Sequence, residues 1–261
     1  LKELEDTILL RLSKSENPVD DIELINALEA SKIKSTEIKA KVVVSEQTEK
    51  DIDLTRSEYV PVAINTQILF FCVSDLANID PMYQYSLEWF TRIFLNSIQQ
   101  AAKADSLKER ISHINEHFTY NLYSNVCRSL FEKHKLLFAF LLTVRILMNQ
   151  NKILMDEYRF FLAGGTQRPK KIVNPAPEWI SERAWLELLT LESLPNFDTF
   201  TEDFKNHLSA YKKIFDSSEP HRETLPDTWK TKLDPFQQII VLKCLRPDKI
   251  TNAMQDFVAN N

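Results

Sequence analysis

Glycine is almost missing: the chain of 261 residues holds two, Gly164 and Gly165, where average usage would supply roughly eighteen. Phosphate-cradling loops and dinucleotide fingerprints need several glycines, because their backbone takes positive φ and closes on the ligand. Neither can be written around one Gly-Gly pair, so this segment is expected to bind no nucleotide through a known loop. Cysteine is scarce as well. Cys72, Cys127 and Cys244 are odd in number and far apart, which suggests neither a disulfide framework nor a zinc ribbon; buried, reduced thiols are expected. Positive charge is not in excess, with 32 Lys and Arg against 37 Asp and Glu and a net charge of -5. No basic patch with interleaved aromatics occurs, so no nucleic-acid partner is expected. The longest apolar run, Leu136 to Leu142, is far short of a bilayer span, and no apolar segment follows a basic start, so neither export nor membrane insertion is expected. Persuasive strands are absent too: Val42 to Val44 and Ile68 to Val73 are short and embedded in helical periodicity.

What is there is helical in texture. Apolar residues make up 44% of the chain, enough for a buried core at this length, and an all-α fold is expected. The opening at Leu1 in mid-helix pattern and the plain end at Asn261 suggest a piece of something larger.

Charge and aromatics divide the chain at Tyr59. Residues 1–59 hold 14 Asp and Glu against 9 Lys and Arg, while the remainder holds 23 of each, and Tyr59 is the only one of 27 aromatic residues in that first stretch. With so few large side chains it is expected to be an elongated element and no globular domain. Leu1, Leu4, Ile8 and Leu12 share a helical face; Asn17-Pro18 predicts a turn; Asp20 or Asp21 could cap a short helix bearing Ile22, Ile25 and Leu28. From Ile33 to Tyr59 neither Gly nor Pro interrupts, giving a helix of about 40 Å. Ile38, Ser45, Ile52 and Tyr59 recur every seven residues, with Val42 and Glu49 between them. Ser45 and Glu49 make this a weak coiled-coil seam. The reading is a projecting antiparallel helical hairpin that needs a neighbour, with Ile38, Val42, Ile52 and Tyr59 as its working seam.

From Pro61 dense apolar residues at helical spacing announce the core. Asp80-Pro81 predicts a helix start burying Tyr85, Trp89, Ile93 and Phe94; Ser106 with Glu109 suggests a capping box before a helix through Phe118, Leu122 and Leu130. Leu136 to Met148 reads as a fully buried central helix, and Gly164-Gly165 as the terminator of the bundle's last helix. Eight of the 11 prolines lie between Pro169 and Pro247, which predicts shorter helices. Pro169 to Pro177 reads as a linker, Thr199 with Glu202 as a capping box, and Asp234-Pro235 as the start of a helix carrying Ile239, Ile240 and Leu242.

Reactive chemistry is thinly supported. His113-Ile114-Asn115-Glu116-His117 spells the H-x-x-E-H of inverted zinc peptidases, but no third ligand is distinguished and a solvated helix face is the plainer reading. Cys127 with His134 resembles a thiol and base only in sequence separation. Arg128 and Arg246 suit structural ion pairs or contacts to a neighbouring module.

Four strings carry a resemblance: residues 78–87 (Asn-Ile-Asp-Pro-Met-Tyr-Gln-Tyr-Ser-Leu), residues 125–133 from Asn125 to Lys133, Lys135 to Phe138, and Cys244 to Lys249. In sequence and order they resemble dynein heavy chains of axonemal flavour, over essentially the whole length. The resemblance implies a motor-ring segment running from the C-terminal part of the fifth AAA+ module into the sixth. Residues 1–59 would be the strut that leans on the microtubule-binding stalk, 60–165 the small helical subdomain of the fifth module, and 166–261 a linker and helical start of the sixth. It implies a non-catalytic force relay with no cofactor of its own, ATP and magnesium being held elsewhere in the parent motor. Implied partners are the stalk and neighbouring AAA+ modules of the same chain, with microtubules and dynein intermediate and light chains reached through the parent. The implied location is the cytoplasm, cytoskeleton and ciliary axoneme. A rival reading is a free-standing helical scaffold that recruits partners through its hairpin.

Overall fold

The computed structural model describes residues 2–14, 22–165, 172–226 and 229–261. Among these every regular element is helical, thirteen α-helices and two short 3₁₀ turns, as the composition predicts. The expected turn at Asn17-Pro18, the capping role of Asp20 or Asp21, and Pro169 at the start of the proposed linker lie outside the described residues. The chain divides into two compact units, residues 1–63 and 64–261.

The first unit is built from α1 (Lys2–Lys14) and α2 (Ile22–Glu58), which pack against each other. The sequence reading treated Ile22–Leu28 and Ile33–Tyr59 as separate pieces; α2 is instead one helix of 37 residues. Nothing between Leu28 and Ile33 ends a helix, since Glu29, Ala30, Ser31 and Lys32 include no glycine or proline. Leu24 is buried, and Ala27, Ser31 and Ser35 are half-buried below it at i, i+3, i+7 and i+11. That row of small side chains is where α2 has cover. Tyr59 then breaks the helix before α3 (Val60–Asp75). Pro61 has no N–H to continue the ladder, and Tyr59 O accepts from Val62 N at 3.0 Å instead.

In the second unit the part of α3 from Ile64 onward, α4 (Leu87–Gln100), α5 (Leu107–Cys127) and α6 (Glu132–Asn149) enclose one core. It contains Leu69, Leu76, Phe90, Phe118, Leu122 and Phe138. The stretch Val60–Asn78 reaches the length and hydropathy of a membrane span, with mean hydropathy 1.5, which no single apolar run had suggested. Its apolar side is used in this core, where Leu69, Cys72, Val73 and Leu76 are buried. Asp80-Pro81 does not start α4. Asp80 Oδ1 accepts from Met82 N in a tight turn, and Ser86, six residues on, is the true cap, its Oγ accepting from Trp89 N at 3.1 Å. Ser106 does precede α5, yet its hydroxyl makes no cap bond.

The second core gathers α6, α7 (Met155–Ala163), α8 (Glu182–Leu191), α9 (Phe200–Asn206), α10 (Leu208–Asp216), α11 (Trp229–Lys232), α12 (Pro235–Leu245) and α13 (Ile250–Asn260). Helix α6 serves both cores, giving Phe138 and Leu142 to one and Phe140, Val144 and Leu147 to the other. It is therefore central as predicted but not fully buried: Leu137 is exposed, and Leu136, Leu141, Thr143, Arg145, Ile146 and Met148 are half-buried. Gly164 ends α7 at φ 74 and ψ -174, a conformation in which a Cβ is strained, and its N–H reaches Phe160 O at 2.8 Å. Asp234 and Gln237 form the reciprocal capping box of α12. Thr199 forms none: its backbone is left-handed at φ 68, its side chain makes no cap bond, and Glu192 Oε1 accepts from Thr201 N instead. The helices after the Gly pair are short, each ended within a few turns.

Candidate interaction surface

Helix α2 is held from within. Thr36, Thr48 and Thr55 hydroxyls each donate at 2.8 Å to the carbonyl four residues earlier. Gln47 Nε2 donates to Asp51 Oδ1, and Arg56 pairs with Asp53 at 3.3 Å. Such pairs are worth only a few tenths of a kcal/mol each, about 0.2–0.5. Beyond Ser35 every residue of α2 is exposed.

The predicted seam residues Ile38, Val42 and Ile52 fall in one row along α2, and Tyr59 sits at the break just after it. They are 38%, 47%, 46% and 38% exposed, whereas Val43, Val44 and Leu54 on other faces reach 64% or 65%. Apolar side chains therefore ring the helix beyond Ser35, with the seam positions exposed but less so than Val43, Val44 and Leu54. Sequence periodicity found that row but missed how much apolar surface lies outside it; the Val42-Val43-Val44 triplet was the available signal.

The remaining candidates do not assemble a reactive centre. His113 Nδ1 lies 3.2 Å from Ala102 O, while Glu116 Oε1 accepts from Ser112 Oγ. No group of three His, Cys, Asp or Glu able to hold a metal forms among the described residues. His134 Nδ1 is hydrogen-bonded to Tyr83 OH at 2.7 Å, and the Cys127 thiol to Tyr123. Burial pushes the Cys127 thiol up, and pushes Cys72 and Cys244 up to about 12, so all three stay protonated at neutral pH. Arg246 clamps the end of α12, pairing with Asp248 at 2.8 Å and donating to Phe215 O. Arg128 is exposed at the C-terminus of α5. A cleft of about 260 Å³ opens beside Ile239, Leu242 and Phe257, with His221 Nε2 3.4 Å from Asp256 Oδ2. Arg222 shares that carboxylate at 3.5 Å, and among the described residues no serine, threonine, cysteine or lysine lines the cleft.

The described residues thus form an all-α segment whose most distinctive surface is the exposed, partly apolar length of α2. No family model matches the chain. It is 65% identical over its whole length to dynein axonemal heavy chain 1 of Homo sapiens and 44% identical to dynein axonemal heavy chain 3 of the same species. Over 99% of its length it is 40% identical to the dynein-1-beta heavy chain of the flagellar inner arm I1 complex of Chlamydomonas reinhardtii. The chain belongs to the axonemal dynein heavy chains, spanning 6% of the length of each of these relatives.

Proposed function

We propose that this segment is a structural, force-relaying part of a dynein motor ring in ciliary movement, making and breaking no bond itself. Residues 1–59 act as the strut, 60–165 as the helical subdomain of the fifth AAA+ module, and 166–261 as the lead-in to the sixth. ATP and magnesium are bound elsewhere in the parent motor, which works on microtubules at the axoneme and carries the intermediate and light chains. The observation behind this reading is that α2, 37 residues long, buries Leu24 alone.

Burying Ile38, Val42 and Ile52 on a partner would stabilise the contact by about 1.5–3 kcal/mol for each fully covered side chain. A strut needs such a contact with the stalk, so that rotation of the module shifts the stalk's helices and changes microtubule affinity. The acidic balance of residues 1–59 argues against this element touching an acidic tubulin surface directly.

The test is Val42→Asp in the full-length heavy chain. It should abolish microtubule stimulation of the ATPase and leave basal turnover intact. Unchanged stimulation would end the strut reading.

A further inference from the structure

The charges flanking the seam of α2 reverse sign halfway along it. With Ile38, Val42, Ser45, Glu49 and Ile52 in the contact row, the side chains bordering it are Lys34, Lys39 and Lys41 in the first half and Glu46 and Asp53 in the second. Glu49 adds a further carboxylate within the row itself, and Arg56 at the end of the row pairs with Asp53 at 3.3 Å, so the acidic half rests chiefly on Glu46 and Glu49. All seven are exposed, so the pattern faces solvent in full. Positions bordering a helical seam form the interhelical ion pairs that set partner and orientation.

We infer that the occupant of this face is an α-helix of opposite polarity: acidic where it meets Lys34 to Lys41 and basic where it meets Glu46 to Asp53. The inference rests on the strut reading and names the chemistry of the strut's partner. Apolar residues alone would let a partner slide along α2, because Val43, Val44 and Leu54 give nearly equal contact on other faces. The sign change between Lys41 and Glu46 penalises such slippage, since a shift of one or two helical turns brings like charges together. It makes α2 a contact with a defined register, which a relay of small displacements requires. A second copy of this chain laid parallel would meet lysine with lysine and is disfavoured by the same charges.

The experiment replaces Lys34→Glu, Lys39→Glu and Lys41→Glu together in the full-length heavy chain, with Lys→Gln at the same positions as a milder companion. Basal ATPase serves as the folding control. At about 50 mM salt the Glu variant should lose microtubule stimulation about five- to ten-fold and the Gln variant less, with both converging on wild type at about 300 mM as the charges are screened. If the Glu variant matches wild type at both salt levels while Val42→Asp abolishes stimulation, the charge inference falls and the strut reading survives. If neither matters, both fall. Concentration-dependent self-association of the wild-type heavy chain, lost in the Glu variant, would make a second copy the occupant and overturn the assignment.

Discussion

Residues 1–63 are helical at nearly every described position and residues 64–261 are helices broken by irregular connections, yet the more continuous unit has the smaller core. In the first unit the buried side chains among the described residues are Leu24 and Val62. In the second, two clusters interlock around α6, and 26 of the 27 aromatic residues lie there. Tyr211, Phe200, Phe204 and Trp229 alone form a run of ring contacts with centroids 4.5 to 5.9 Å apart. Helix α2 has no counterpart to this and relies on its backbone ladder and short-range pairs. Helical periodicity is therefore a poor guide to stability by itself: it reports that a face exists and leaves open whether anything covers it.

The largest contrast expected is between Trp185→Ala and Val42→Ala. Trp185 is fully buried, donates from Nε1 to Ile172 O at 2.9 Å and lies beneath Lys205 Nζ. Its truncation should cost about 3–5 kcal/mol, whereas Val42→Ala on the bare helix should stay within about 0.5 kcal/mol. Urea unfolding of the 261-residue chain reads both. All four tryptophans lie in the second unit, so fluorescence follows that unit, while circular dichroism also follows α2. Equal losses from the two substitutions would erase the distinction between the units.

A smaller effect sharpens the same distinction. A Cβ added at Gly165 would fall inside contact distance of Thr190 Oγ1 and Cβ, and Thr190 is buried with its hydroxyl tied to Glu187 O at 2.8 Å. Gly165→Ala should cost about 1–3 kcal/mol in the same urea experiment. A neutral result would show that the second unit has slack it does not display. The glycine pair is thus explained by two separate needs, a positive φ at Gly164 and close approach at Gly165.

These cases also mark what could be read from residues alone. The all-helical class, the central place of α6, the helix start at Asp234-Pro235 and the Gly164 stop follow from local patterns that tertiary structure left undisturbed. Local readings failed where a nearby group competed better. Ser86 outcompeted Asp80 as a cap because Asp80 spends its carboxylate on the turn at Met82. Thr199 lost its role to Glu192, which arrives from a different helix and is invisible in a window of a few residues. The expected seam of α2 rests on periodicity alone, and its positions are exposed. The fusion of the helix's two halves was hidden by the assumption that a change of pattern is a change of element, when nothing between Leu28 and Ile33 favours ending a helix.

The smallest effect concerns pH and again separates the units, because the second contains a carboxyl group sealed in its core. Glu157, 1% exposed, accepts from Gln237 Nε2 at 2.6 Å and Leu154 N at 3.1 Å, joining the start of α7 to the start of α12. Burial raises its pKa above the ordinary 4.5, outweighing the hydrogen bonds that favour the charged form. A carboxyl with a raised native pKa holds its proton longer in the folded chain than in the unfolded one. Its contribution is complete below the unfolded value near 4.5 and is lost as pH rises through the folded value. Glu157→Gln removes that titration. The variant is expected to start less stable at acid pH, having exchanged one accepting oxygen for an amide donor beside Leu154 N. Its deficit against wild type in the fluorescence-detected urea midpoint should then shrink as pH rises above 4.5. A deficit that grows with pH would mean that the charged carboxylate is the form the core prefers, and that the Gln237 and Leu154 bonds outweigh burial.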